Sequence, residues 1–441
     1  MPRWLYSLLL RLALPGAVLW FLWRHWSHRA GLRDLLAAGI MIRTGTERGG
    51  RPVWLHAASV GEVQALAPVV RGLAKSGYSM ALTVGTPTGL ARARELYAYL
   101  QAGEQTQLTL QLAPWDLPGA ARRFLQATQP RAAVFIETEL WPNRIAACEH
   151  AGVPLLLVSA RLTGRSLVRY QRFASGMMRK AVRAFAGIAA QTPADQARFI
   201  ALGAAADRVT VAGNLKFDLA MPGDVAARGQ ELRQKFAAGR PLWVAGSTHP
   251  GEETGCVEAQ RILSDRARRA GQAVPVLLLA PRRPERFDDA ASWLAGTGLR
   301  TARVSHMPPD ADAEVLLLDT LGELLHWYAA ADVAFVGGSL VPVGGHNLLE
   351  PAALGKPVLS GPHCFNSPES ATLLAAADAL VTVNGAAQLA QAVARLLGDI
   401  PAAQAMGVRA AAVVTANRGA AAQAIGAIAA IAPQAQPSAG C

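Results

Sequence analysis

The sequence predicts an α/β protein made of two Rossmann-like halves facing a cleft, preceded by a membrane anchor helix. Three observations predict it. From residue 52 onward, short apolar runs of strand length alternate with amphipathic helical stretches. The alternation pauses at a polar, helix-capable bridge around 217–240 and then restarts. The chain is 441 residues long, more than one ordinary core organises. The expected divisions are 1–43 (anchor and basic juxtamembrane segment), 44–216 (first Rossmann-like domain), 217–240 (linker), 241–420 (second Rossmann-like domain) and 421–441 (flexible tail after a last helix).

The anchor is read from Trp4–Trp23, about 20 mostly apolar residues interrupted by Arg11 and Pro15. Arg24, His25, Arg29 and Arg33 follow it, so the positive-inside rule leaves the remaining chain cytoplasmic. Spanning the bilayer and lying in its interface both satisfy this pattern. The net charge of +12 sits in two places. One is 1–43; the other is 151–194, which has seven bases (Arg161, Arg165, Arg169, Arg172, Arg179, Lys180, Arg183) and no acid. A localised basic excess suits an anionic surface or ligand. Phospholipid or a phosphorylated lipid fits better than nucleic acid, because no nucleic-acid reading motif accompanies it. The four cysteines are scattered without CxxC spacing, which argues against a disulfide framework or a zinc site.

The first half offers strands at Val53–His56, Met80–Val84, Ala132–Ile136, Pro154–Val158, Gly187–Ala190 and Arg208–Val211. The second offers Leu242–Ala245, Val276–Ala280, Glu314–Leu318, Val333–Val336 and Lys356–Leu359. Strand ends carry the chemistry in such sheets. Pro52–Gln64 reads as strand, small-residue turn, then a helix opening near Glu62. Ser59-x-x-Glu62 is a capping box by spacing, so Glu62 either caps a helix or removes a proton. Glu137 and Glu139 at the end of a strand can do acid–base work or pair with the arginines of 161–172. Lys216 can stabilise transition-state charge or pair with Asp218.

In the second half, Gly337-Gly338-Ser339 and Gly344-Gly345-His346-Asn347-Leu348-Leu349-Glu350 resemble glycine loops whose amides meet a phosphate at a helix start. Asn347 and Glu350 share a helix face. Arg282, after Pro281 at a strand end, suits phosphate or carboxylate, and His249 is either a ligand contact or a turn residue. Leu321-Gly322-Glu323 opens a helix where its backbone can meet a base or ribose. Asp310-Ala-Asp312 mimics a metal-binding DxD but reads as solvated loop, and no cofactor or metal is expected.

Nine ordered motifs carry a resemblance across nearly the whole chain: HAASVGE (56–62), TPTG (86–89), ETELWPN (137–143), ARLTGRS (160–166), GNLKFD (213–218), GSTHPGEE (246–253), PRRPERF (281–287), DTLGEL (319–324) and FVGGSLVPVGGHNLLEP (335–351). Together they resemble the 3-deoxy-D-manno-oct-2-ulosonic acid (Kdo) transferases of lipopolysaccharide assembly. The resemblance implies a GT-B glycosyltransferase: donor CMP-Kdo in the C-terminal domain, a lipid A precursor (lipid IVA) in the N-terminal one, at the cytoplasmic face of the inner membrane. It further implies inversion without a metal. Glu62 is then the general base, with Glu137 and Lys216 stabilising the transition state. Pro281, Arg282, Leu321, Gly322, Glu323, Asn347, Leu348, Leu349 and Glu350 would contact CMP, and Arg161 and Arg165 are assigned to the acceptor. The rival readings are a GT-B transferase using another nucleotide sugar and a non-catalytic lipid-binding scaffold.

Overall fold

A computed structural model describes residues 1–24, 50–101, 108–219, 221–237, 239–306, 310 and 312–433. Of the basic residues after the expected anchor, His25, Arg29 and Arg33 lie outside them. The chain divides into two units, Met1–Ala220 with Asn417–Cys441, and Met221–Ala416.

The first unit holds a parallel sheet of seven strands: β1 (Val53–Ala57), β2 (Met80–Val84), β3 (Leu108–Leu112), β4 (Ala132–Ile136), β5 (Leu155–Ala160), β6 (Gly187–Ala190) and β7 (Val209–Val211). Their order is β3-β2-β1-β4-β5-β6-β7. The central strands β1, β2, β4 and β5 are buried along their whole length, as parallel strands covered on both faces must be. The second unit repeats the design with β8 (Leu242–Thr248), β9 (Val276–Pro281), β10 (Thr301–Arg303), β11 (Val315–Leu317), β12 (Val333–Val336), β13 (Val358–Ser360) and β14 (Leu380–Thr382), ordered β10-β11-β9-β8-β12-β13-β14. Chain direction along each sheet reverses once, between β1 and β4 and between β8 and β12. Those are the switch points where open α/β sheets leave a crevice at their carboxyl ends. Three strands escaped the sequence reading: β3, β10 and β14. Each is a sheet edge and half-buried or outward along much of its length, so the apolar run that marks a central strand is missing.

The domain boundaries differ from expectation at both joins. The expected linker contains the helix Val225–Ala237, which packs within the second unit. Gly229 lies so close to the helix Leu324–Ala330 that a Cβ there would come within 2.7 Å of Ala329. Phe236 meets Trp327 with ring centroids 5.3 Å apart, and Arg233 pairs with Asp332 at 2.9 Å. The expected flexible tail contains the helix Ala420–Ile431, which returns to the first unit. Ala421, Ala424 and Ile428 join the core of β1 and β2, and Asp218 accepts from the amides of Gly419 (2.8 Å) and Ala421 (2.7 Å) at its start. Alanine-rich composition suggested fraying; the small side chains instead permit close helix packing. Residues 434–441 of that tail lie outside the described residues.

The N-terminal helix runs Arg3–Arg24. Among the described residues, no helix is long and apolar enough to cross a membrane. Tyr6 donates to Asp116 at 2.9 Å and Ser7 to Asn143 at 3.0 Å, so the helix docks one polar face on the first unit. Trp4, Leu8, Leu9 and Leu12 stay exposed on it.

Candidate active site

The turn after β1 delivers Glu62. Ser59 caps the helix Val60–Ala65, its hydroxyl oxygen accepting the Glu62 amide at 3.4 Å. The return bond of an ordinary capping box would run to the Ser59 amide. Here Glu62 Oε2 instead accepts from the Ala58 amide at 2.7 Å, and Oε1 accepts from the Ser59 hydroxyl at 3.0 Å. The full capping box is therefore not closed, but the carboxylate is held back over the turn by two bonds. A helix start by itself favours the charged carboxylate. Burial pushes Glu62 up to about 7, and the charges of Glu139 and Glu137 add to this against the lowering by the Ala58 and Ser59 bonds. Desolvation outweighs both bonds.

Across the switch point, β4 is followed directly by Glu137 in the left-handed region (φ 56°). A non-glycine residue there costs about 1–2 kcal/mol, and such strain gathers at functional sites. Its carboxylate pairs with Lys216 Nζ at 2.8 Å. Lys216 is positioned by its own turn: Asn214 Oδ1 accepts the Lys216 amide at 3.0 Å and Ser159 Oγ accepts the Leu215 amide at 3.2 Å. The alternative partner Asp218 is occupied at the C-terminal helix, and neither Glu137 nor Glu139 takes an arginine of 161–172 among the ion pairs of the described residues.

Glu139 instead accepts from Trp141 Nε1 and lies 3.0 Å from His56 Nε2. Burial alone would raise its pKa, but the bonds to His56 and Trp141 win and hold it low. His56 is kept below its usual value by burial first and by Arg144 second. Arg144 Nη1 reaches His56 Nε2 at 2.7 Å, and its Nε and Nη2 donate to the Pro114 carbonyl at 3.0 and 2.6 Å. Asp116 accepts the Arg144 amide at 2.8 Å. This buried network ties Tyr6 of the N-terminal helix to the Glu139 turn, and it was missed from sequence. Its one signal was polar His56 inside an otherwise apolar strand. Arg161 is half-buried and Arg165 exposed; the structure places both in the first unit, at and after the end of β5.

The second unit gathers its predicted residues at the carboxyl ends of β8, β9, β11 and β12. Pro281 closes β9 and is buried, with Arg282 exposed beyond it. Leu321 is exposed, Gly322 takes φ 81°, and Glu323 accepts from Thr320 Oγ1 and sits 3.7 Å from Arg228. Asn347 and Glu350 do meet: Asn347 Nδ2 donates to Glu350 Oε1 at 3.1 Å, and Asn347 Oδ1 accepts the Leu349 amide at 3.1 Å. Leu348 and Leu349 are buried beneath them. The Gly337–Ser339 loop corrects the phosphate reading. The amides of Gly338 and Ser339 donate to Glu252, an internal carboxylate, at 2.6 and 2.8 Å. A phosphate finds them already occupied. His249 is no mere turn residue either: its Nε2 lies 2.8 Å from His346 Nε2, with the rings parallel to within 8°. Burial, then Arg282 and His249, holds His346 down to about 4. Asp312 of the DxD-like loop pairs with Arg300 at 2.7 Å, and the described residues hold no cluster of three or more His, Cys, Asp or Glu able to grip a metal.

A family model described as "3-Deoxy-D-manno-octulosonic-acid transferase (kdotransferase)" matches residues 24–219. A 3-deoxy-D-manno-octulosonic acid transferase of Bordetella pertussis is 40% identical over 426 residues, covering 95% of this chain and 97% of that protein. The chain belongs to the Kdo transferase family. A second such transferase, of Haemophilus influenzae, is 35% identical over 372 residues, 83% of this chain and 84% of its own. Membership makes the protein a glycosyltransferase of lipopolysaccharide core biosynthesis. Among solved structures, a glycosyltransferase from Rickettsia africae covers 88% of this chain and all of its own with a TM-score of 0.56. A UDP-GlcNAc 2-epimerase from Neisseria meningitidis covers 86% of this chain and 99% of its own with a TM-score of 0.55. At 12% identity each, these two describe the fold alone, a GT-B-like pair of Rossmann-like units.

Proposed function

We propose that the protein transfers Kdo from CMP-Kdo to a lipid A precursor, lipid IVA, with inversion and without a metal, Glu62 acting as general base. The observation that carries this is Glu62 itself: a half-buried carboxylate raised to about 7, beyond the end of β1 at the sheet's switch point. A base poised near neutrality is what proton abstraction from a sugar hydroxyl requires. Oε2 stays on the Ala58 amide while Oε1, held only by a rotatable serine hydroxyl, takes the proton. The acceptor oxygen then bonds to the anomeric carbon as the bond to the CMP phosphate breaks, and CMP leaves with that electron pair. Lys216, supported by Glu137, offers positive charge to the donor's carboxylate as charge redistributes. Arg282, Leu321–Glu323 and Asn347–Glu350 receive CMP.

The acceptor is phosphorylated and acylated, and the first unit presents matching surfaces. Arg165, Arg169 and Arg172 are exposed on the helix Gly164–Arg183, and Trp4, Leu8, Leu9 and Leu12 on the N-terminal helix. This combination supports a protein seated on the cytoplasmic side of the inner membrane, against anionic phospholipid. The test is purified full-length protein with CMP-Kdo and lipid IVA, read by CMP release and product mass. Wild type is expected to release CMP and add Kdo, and Glu62→Gln to do neither. No product from wild type, or equal product from Glu62→Gln, overturns the reading. Thermal stabilisation by UDP or GDP in place of CMP would redirect it to another nucleotide sugar.

A further inference from the structure

We propose that Glu252 is a positioning residue for the donor site, a buried carboxylate that sets the loop carrying Asn347–Glu350. The inference rests on the donor reading above for its functional consequence, but its geometry stands by itself. Glu252 opens the helix Glu252–Arg269 and is fully buried. Oε1 accepts from the amides of Ser339 (2.8 Å) and Leu340 (2.7 Å). Oε2 accepts from those of Gly338 (2.6 Å) and His249 (3.0 Å). Four backbone amides thus solvate one carboxylate, in the manner of an anion nest. Among the ion pairs of the described residues none involves Glu252; the neighbouring Glu253 is the one that takes the arginine, accepting from Arg286 Nη1 and Nη2 at 2.6 and 2.8 Å.

The pinned loop passes this order on. The Gly338 carbonyl accepts the Gly345 amide at 2.6 Å, and the Gly337 carbonyl accepts the His346 amide at 3.1 Å. Gly338 sits at φ 68°, and a Cβ there would come within 2.9 Å of His346 Cδ2. The His249–His346 contact at 2.8 Å closes the same loop from the other side. With nitrogens that close and ring centroids 5.0 Å apart, the rings meet edge to edge and share one proton rather than stacking. Gly345 and His346 directly precede Asn347. Glu252 therefore reaches the candidate nucleotide contacts through two backbone bonds, without touching the nucleotide. The loop amides that would otherwise attract the donor's phosphate are filled by the protein's own anion, which leaves the phosphate to Arg282 and the Asn347–Glu350 segment.

The experiment compares full-length wild type with Glu252→Gln, Glu252→Asp and a control, Glu314→Gln. Glu314 is a buried carboxylate of the same unit that pairs with Arg268 at 2.7 Å and has no bond to this loop. CMP affinity is measured by titration calorimetry, donor KM and kcat by CMP release, and backbone exchange at Gly338–Leu340 and Gly345–His346 by hydrogen–deuterium exchange. Glu252→Gln is expected to weaken CMP at least tenfold and raise donor KM alike, with kcat at saturating donor within about threefold. Exchange at Gly345 and His346 should quicken beyond that of Glu314→Gln at a matched fall in Tm. Glu252→Asp should lie between, and it serves alone if the glutamine variant does not fold. Wild-type CMP affinity and wild-type exchange at Gly345–His346 in a folded Glu252 variant overturn the proposal. If wild type itself binds no CMP, the donor reading fails, and exchange at Gly345 and His346 still decides whether Glu252 holds the loop.

Discussion

Glu62 meets two opposed demands, capping its helix and keeping a high proton affinity, and burial decides between them. Its folded pKa of about 7 lies above the ordinary glutamate value of 4.5. The native state therefore holds a proton that the unfolded chain has already released, so stability falls as pH rises from about 4.5 to 7 and stays lower above it. Glu62→Gln removes that cost. After allowance for partial exposure it should stabilise the protein by about 2 kcal/mol at pH 8 and by almost nothing at pH 4, read from urea midpoints. The same variant should lose about 10²–10⁴-fold in kcat. In wild type the acid limb of kcat/KM should bend near pH 7; a limb near pH 4.5 would remove Glu62 as the base. Lys216→Ala leaves Glu137 without its cation at a strained backbone position, and should lower kcat with little change in CMP affinity, since Lys216 belongs to the first unit and the candidate CMP contacts to the second.

At the scale of elements, the C-terminal helix is the clearest case of structure that composition misrepresents. Ala420–Ile431 is mostly alanine, with a low-contrast apolar pattern, yet Ile428 is fully buried and Gly72 has no room for a Cβ, which would come within 2.2 Å of Ile425 Cδ1. Ile428→Ala should cost about 2–5 kcal/mol, measured by denaturant unfolding. Asp218→Ala should cost about 1 kcal/mol through loss of the cap at Gly419 and Ala421. Most strand positions were legible because buried parallel strands read as unbroken apolar runs; Met80–Val84, Ala132–Ile136 and Val333–Val336 appear with the predicted ends. The edge strands β3, β10 and β14 and the packing of Val225–Ala237 were not legible. An edge strand lacks that run, and a polar helix with one buried stripe resembles a linker until its partner helix is known.

For the molecule as a whole, charge and exposed apolar side chains make the argument. Arg165, Arg169 and Arg172 are exposed on one helix of the first unit, and four large apolar residues are exposed on another. Replacing the three arginines with glutamate should abolish salt-sensitive co-sedimentation with anionic vesicles, at about 1 kcal/mol per charge removed near the surface. CMP affinity should not change. Equal co-sedimentation of variant and wild type would place the lipid contact elsewhere.

Two Rossmann-like halves and the ordered motifs were legible in the sequence, because local periodicity and residue type at strand ends are properties of adjacent residues. The spacing around Glu62 left cap and base both open, and only the family resemblance pointed to a base. Only tertiary structure decided which carboxylate does what. Glu62, Glu137, Glu139 and Glu252 are alike in the chain, but burial raises the first, Lys216 pairs the second, His56 and Trp141 hold the third, and four amides enclose the last. Proton affinity is set by desolvation and by partners brought from distant strands, and neither exists until the sheets have formed.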